Sequence, residues 1–173
     1  MHQVRQMVNK KWVIIVLILW GLGLIGFIGY KQYTLSSGVE IILKTVPVDP
    51  RDFFRGDYVV LRYNLNSMDS TYLEQRNDTI VKGDIIYVLL NSSSKYPEPV
   101  SISKTKFESG VFLKGTVEST YYGTINILYG IESYFVQEGR GKEIERMIGK
   151  LDVKIAVDKQ GNALIKSLIY DQE

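Results

Sequence analysis

Residues Pro50–Leu65, PRDFFRGDYVVLRYNL, join a turn to a strand. Arg55-Gly56-Asp57 is a turn signal, because glycine takes positive φ freely and aspartate bonds to nearby backbone. Tyr58-Val59-Val60-Leu61-Arg62-Tyr63 is rich in β-branched and aromatic side chains, which suit a pleated, half-buried strand. Alternation puts Asp57, Val59, Leu61, Tyr63 and Leu65 on one face and Tyr58, Val60, Arg62 and Asn64 on the other. The first face is apolar after its leading aspartate and is expected against a core.

Upstream, Val39–Val46 reads as the strand before this one, and Pro47 and Pro50 bracket a loop, since proline lacks the donor a central strand needs. Tyr33–Gly38 is a short polar linker. Before it, Trp12–Tyr30 runs nineteen residues without a formal charge, close to the ~20 that cross a hydrocarbon core. The run has no polar face, unlike the surface helix of a soluble domain. Aromatics stand at both ends, as at membrane interfaces. Gly21, Gly23, Gly26 and Gly29 would let another helix approach closely. Arg5, Lys10 and Lys11 precede the span and only Lys31 follows closely, so the N-terminus is expected in the cytoplasm. A cleaved signal peptide, with Ser36-Ser37-Gly38 as its site, is the competing reading, but the apolar run exceeds the usual ~7–15 residues. The expected organisation is a cytoplasmic N-terminus (1–11), a transmembrane helix (12–30), a linker (31–38) and an extracytoplasmic β domain (39–173) in the cell membrane.

Downstream, Ser67–Arg76 departs from the strand pattern, and Thr71-Tyr72-Leu73-Glu74 has the form of a capping box. The β pattern resumes over Ile80–Leu90, where Lys82-Gly83-Asp84 repeats the turn device of Arg55-Gly56-Asp57. Asn91–Glu98 is a polar loop. Further strands are expected at Val111–Glu118, Ile125–Val136, Leu151–Asp158 and Ala163–Tyr170, the last two joined by a hairpin turn at Lys159–Asn162. Glu138–Lys150 carries Ile144, Met147 and Ile148 at helical spacing. The fold class is therefore mainly β: one N-terminal transmembrane helix, then about seven strands, barrel- or sandwich-like, with one or two short helices.

Composition removes several chemistries. The chain has no cysteine, and its one histidine is His2. Disulfides, thiol nucleophiles, Ser-His-Asp triads and His- or Cys-based metal sites are thereby excluded from the folded body. Three of the 21 basic residues (Arg5, Lys10, Lys11) lie in the first thirty residues with no acid, leaving 18 against 19 acids and a net −1 for the remainder. That balance does not support nucleic-acid binding. Carboxylate pairs such as Asp52 with Asp57, or Glu132 with Glu138, would serve a hydrolase only across a cleft of the right width. A Ser–Lys protease needs no histidine, but Ser67-Met68 follows the Gly-Asp turn instead of preceding it, and no lysine is evident as its base. The Gly139-Arg140-Gly141-Lys142 loop lacks the spacing of a P-loop and sits among glutamates. No cofactor, metal or catalytic residue is assigned.

Gly56-Asp57-Tyr58-Val59-Val60-Leu61-Arg62-Tyr63 matches G-D-Y-x-x-L-x-Y, and the chain resembles the GDYXXLXY family. A second hallmark, Tyr129-Gly130-Ile131-Glu132-Ser133-Tyr134-Phe135-Val136-Gln137-Glu138-Gly139-Arg140-Gly141, resembles the family's YGIE-x-Y-F-x-x-E-G-x-G strand and loop. The resemblance implies a membrane-anchored protein of uncharacterised role, in some members joined to or beside a polytopic membrane domain. It carries over no catalytic residue. The expected function is a membrane-anchored binding or accessory module whose partners are the bilayer and a polytopic membrane protein. The alternative is an envelope hydrolase using carboxylates or a Ser–Lys pair. Candidate interaction residues are Arg55, Gly56, Asp57, Tyr58, Leu61, Tyr63, Gly130, Glu132, Tyr134, Glu138, Gly139, Arg140 and Gly141, with the two hallmarks expected side by side as one surface.

Overall fold

The computed structural model describes residues 10–47, 58–75, 79–136 and 149–170. The first element is helix α1 (Lys10–Ser37), 28 residues long and long and apolar enough to cross a membrane. Its apolar side chains are exposed all round, Trp12, Trp20 and Phe27 among them. The expected linker over 31–38 is a correction: the helix continues to Ser37. Nothing between Lys31 and Ser37 breaks it, and its last turns are packed on the body, where Thr34 is buried. Gly38 closes the helix by donating its N–H to the Thr34 carbonyl at 2.9 Å. A Cβ at Gly38 would lie 2.6 Å from that carbonyl oxygen and 2.9 Å from the Val157 oxygen, so only glycine permits so close an approach.

The body is mainly β, with ten strands among the described residues: β1 (Val39–Lys44), β2 (Tyr58–Val60), β3 (Ser67–Asp69), β4 (Ile85–Asn91), β5 (Glu98–Ser103), β6 (Val111–Tyr121), β7 (Thr124–Leu128), β8 (Ser133–Phe135), β9 (Leu151–Val157) and β10 (Ala163–Tyr170). They form a three-stranded sheet β1-β9-β10, a ribbon β2-β8, and a five-stranded sheet β3-β7-β6-β4-β5 that curls as a half-barrel. Every strand pair is antiparallel. The last two strands meet through the expected hairpin, where Gly161 has φ +84° and Asp158 accepts from the Gln160 and Asn162 N–H groups.

Three differences from the pattern reading raise the strand count. Glu98–Ser103 forms β5 despite Pro97 and Pro99, because it is the edge of its sheet, where a missing donor is tolerated. Ser67–Asp69 is a short strand, followed by a 3₁₀ turn at Ser70–Tyr72 that Asp69 caps by accepting from the Thr71 N–H. The expected strand Ile125–Val136 is two strands, interrupted where Gly130 takes φ +80°. The expected helical pattern in Glu138–Lys150 lies largely outside the described residues.

The inward faces form one core. Val59, Leu61, Tyr63 and Leu65 are all buried, as the alternation of the opening stretch requires. They pack with Ile41 and Leu43 of β1, Ile86 and Val88 of β4, and Val153 and Ile155 of β9.

Candidate functional site

The opening stretch is the seam of the body. Its strand β2 pairs with β8, with Tyr58 opposite Phe135, Val59 opposite Tyr134 and Val60 opposite Ser133. The ladder continues with Leu61 N–H donating to the Glu132 carbonyl at 2.8 Å. Next, Val46 N–H donates to the Arg62 carbonyl and Tyr63 bridges to Thr45, tying the segment to the end of β1. After a 3₁₀ turn at Asn64–Asn66 the chain enters β3, where Ser67 lies opposite Asn126. Both ladders keep one register, since the nine steps from Tyr58 to Ser67 match the nine from Asn126 to Phe135. The described parts of the two hallmarks thus lie side by side, stitching three sheets together.

Between the ladders the backbone leaves regular pairing, and side chains replace the missing bonds. Tyr63 Oη donates to the Ile131 carbonyl at 2.7 Å, and Tyr129 Oη donates to the Leu65 carbonyl at 2.7 Å, so each strand reaches into the other. Asn66 Oδ1 accepts from the Tyr63 N–H at 2.7 Å. Asn66 Nδ2 donates to the Ile127 carbonyl at 2.7 Å and to Glu132 Oε1 at 3.0 Å. Glu132 also accepts from the Tyr129 N–H at 2.6 Å and the Gly130 N–H at 2.8 Å, closing the turn at positive φ. Burial, reinforced by the Glu132 charge, pushes both tyrosine hydroxyls far above their usual range, so they remain donors.

This clasp accounts for Tyr63, Gly130 and Glu132, while Leu61 fills the core. Tyr134 is half-buried on β8 and packs against the core. Asn66 and Tyr129 are the members that the candidate residues omit. In sequence, Asn66 is one asparagine at the end of a β run, and its partners lie as many as 66 residues away. Arg55, Gly56, Asp57, Glu138, Gly139, Arg140 and Gly141, with the Tyr58 side chain, lie outside the described residues. The described chain ends at Tyr58 and Val136, next to each other on one end of the ribbon.

A model of the GDYXXLXY protein family matches residues 21–168. The chain belongs to the GDYXXLXY family. No curated protein and no solved structure matches it. The family match begins inside α1 and ends in β10, so the helix and the β body together are a GDYXXLXY unit.

The groove beside the seam bears on hydrolytic chemistry. It encloses about 330 Å³ and is lined by Ser67 and Lys44, with Tyr96 and Asp69. The Lys44 ammonium sits 5.9 Å from the Tyr96 ring centre. Ser67 and Lys44 share the groove, but no hydrogen bond joins them. Of the carboxylate pairs, Glu132 is engaged by three donors and Glu138, Asp52 and Asp57 lie outside the described residues. Among the described residues no group of three or more His, Cys, Asp or Glu side chains is placed to hold a metal ion.

Proposed function

We propose that this GDYXXLXY protein is a single-pass, membrane-anchored accessory module, with its N-terminus cytoplasmic and its β body outside, that serves a larger membrane or envelope complex. The observation that carries the reading is the use of the hallmark side chains. Of those described, Leu61, Tyr63, Tyr129, Ile131, Glu132 and Tyr134 are spent on the clasp and the core, while Phe135 is exposed, which supports a scaffold more than a reaction centre. An uncleaved anchor is supported by the helix running unbroken through Ser36 and Ser37, because cleavage there would require unwinding a packed turn. The surface offered to a partner is the end of the β2–β8 ribbon at Tyr58 and Phe135. The partner class is a polytopic membrane protein.

Extraction in mild detergent followed by co-purification tests this. The expected result is recovery of a polytopic protein with the wild-type chain and its loss with Glu138→Ala, while the β spectrum is unchanged. Recovery of the chain alone under every gentle condition refutes the accessory role. A hydrolase through the Ser67–Lys44 groove predicts peptidase or esterase turnover abolished by Ser67→Ala; the accessory reading predicts none.

A further inference from the structure

A sizeable cleft lies where α1 meets the body. It encloses about 620 Å³ between the last turns of α1 (Tyr33, Thr34, Ser37), the loop carrying Lys106 and Phe107, and the β9–β10 hairpin with Lys159. Its height relative to a bilayer follows from the helix. Nineteen uncharged residues end at Tyr30, and at ~1.5 Å per residue they cover ~28 Å, about one hydrocarbon core. Tyr30 then sits at the boundary, and Tyr33–Ser37 rise ~5–10 Å beyond it, at the depth of lipid headgroups.

We propose that this cleft holds the headgroup of a glycerophospholipid from the bilayer that α1 crosses, with Lys106 and Lys159 facing its phosphate. The inference rests on the membrane-anchored reading above. Of the two acids in the lining, Asp158 is already engaged: Tyr30 Oη donates to it at 2.6 Å, Asn162 Nδ2 at 2.9 Å, and two backbone N–H groups complete its shell. The rim therefore presents two cations against the single free carboxylate of Glu108, an arrangement suited to a phosphodiester. Lys106 is steadied by Gln160 Oε1 at 3.0 Å and lies 6.0 Å from the Phe112 ring centre, so its charge is already partly ordered. Phe107 gives the glycerol and first methylenes an apolar wall.

The test uses the full chain reconstituted in nanodiscs of phosphatidylglycerol and phosphatidylcholine. A photoreactive p-benzoylphenylalanine replaces Phe107, or Ser109 on the exposed rim should the first variant misfold, with Tyr122 at the remote β6–β7 hairpin as control. Irradiation and mass spectrometry should show a phospholipid adduct at the cleft position and none at 122. With each lysine contributing roughly fivefold, Lys106→Gln with Lys159→Gln should lower the yield about 25-fold. No lipid adduct at the cleft from a chain that stays in the membrane after alkaline washing overturns the proposal alone. So does an adduct that the double substitution leaves unchanged. A chain that the wash releases overturns the membrane-anchored reading and this inference together.

Discussion

The seam and the joint each set a tyrosine hydroxyl near a multiply bonded carboxylate. At the seam, Tyr63 and Tyr129 donate to backbone across the hallmarks while Glu132 gathers three donors. At the joint, Tyr30 donates to Asp158, which also receives Asn162 and two backbone N–H groups. The chemistry is alike, and the surroundings differ. Tyr63 is 2% exposed and Tyr30 47%. Water can replace any bond lost at the joint, whereas a donor orphaned at the seam stays orphaned and carries the full desolvation cost. The seam therefore decides whether the body folds, and the joint decides how the folded body sits on its helix.

Asn66→Ala is the strongest way to break that contrast. It strips the Tyr63 N–H and the Ile127 carbonyl of their partners, and a loss of about 3–5 kcal/mol is expected. Thermal unfolding of the full chain in detergent, followed by circular dichroism, measures it. A loss under about 1 kcal/mol would mean that the clasp is ornamental. Gly130→Ala should cost about 1–2 kcal/mol from the left-handed backbone alone, since no atom lies within 4 Å of the added Cβ. Gly130→Asn should recover part of that loss, which separates backbone strain from crowding. Tyr63→Phe should cost about 1–2 kcal/mol and also change the response to alkali. An acid whose folded pKa is raised contributes stability below its unfolded pKa, here about 10, and that contribution is lost as pH rises. Stability should therefore fall above about pH 10 as unfolded tyrosines ionise, with a shallower slope in the Tyr63→Phe protein.

The joint should respond differently. Gly38→Ala forces the helix end away from the Val157 carbonyl, yet the body should keep its melting temperature within a few degrees, because no seam residue moves. Its signature is faster proteolysis around residues 34–39. Equal loss of body stability would show that helix and body fold as one unit. The smallest effect is at acid pH. Burial pushes the Asp158 carboxyl up, but hydrogen bonds from Asn162, Tyr30 and the backbone outweigh this and hold it below the usual carboxylate range. Its contribution is present above the unfolded value and is lost as pH falls through the lowered folded one, so docking should loosen only below about pH 4.

The apolar helix, the burial of Val59, Leu61, Tyr63 and Leu65, and the β9–β10 hairpin were all legible in the sequence, because each rests on a local period or a turn residue. The clasp was not. Alternation continues through Ile127, Tyr129 and Ile131 as if one strand ran on, and only Gly130 at positive φ with Glu132 folding back onto two N–H groups reveals the break. Tyr63 was placed correctly on the inner face, but its hydroxyl meets a carbonyl 68 residues away, a partner that no window along the chain contains. Strand β5 follows a polar run and contains Pro99, which only an edge strand tolerates, and strand order is not written in any one segment.

The close fit at Gly38 has a mechanical consequence. A body joined to its helix without a hinge turns with it. With α1 across a bilayer, as proposed, a change of thickness is met by tilting. Strand β6 runs from the cleft at Val111 to Tyr121, ten residue steps, or ~33 Å at ~3.3 Å per step. Along such a lever a tilt of ~10° swings the far end by ~6 Å. Tyr122 at that hairpin is 90% exposed, so the joint would turn membrane thickness into the position of an aromatic fingertip.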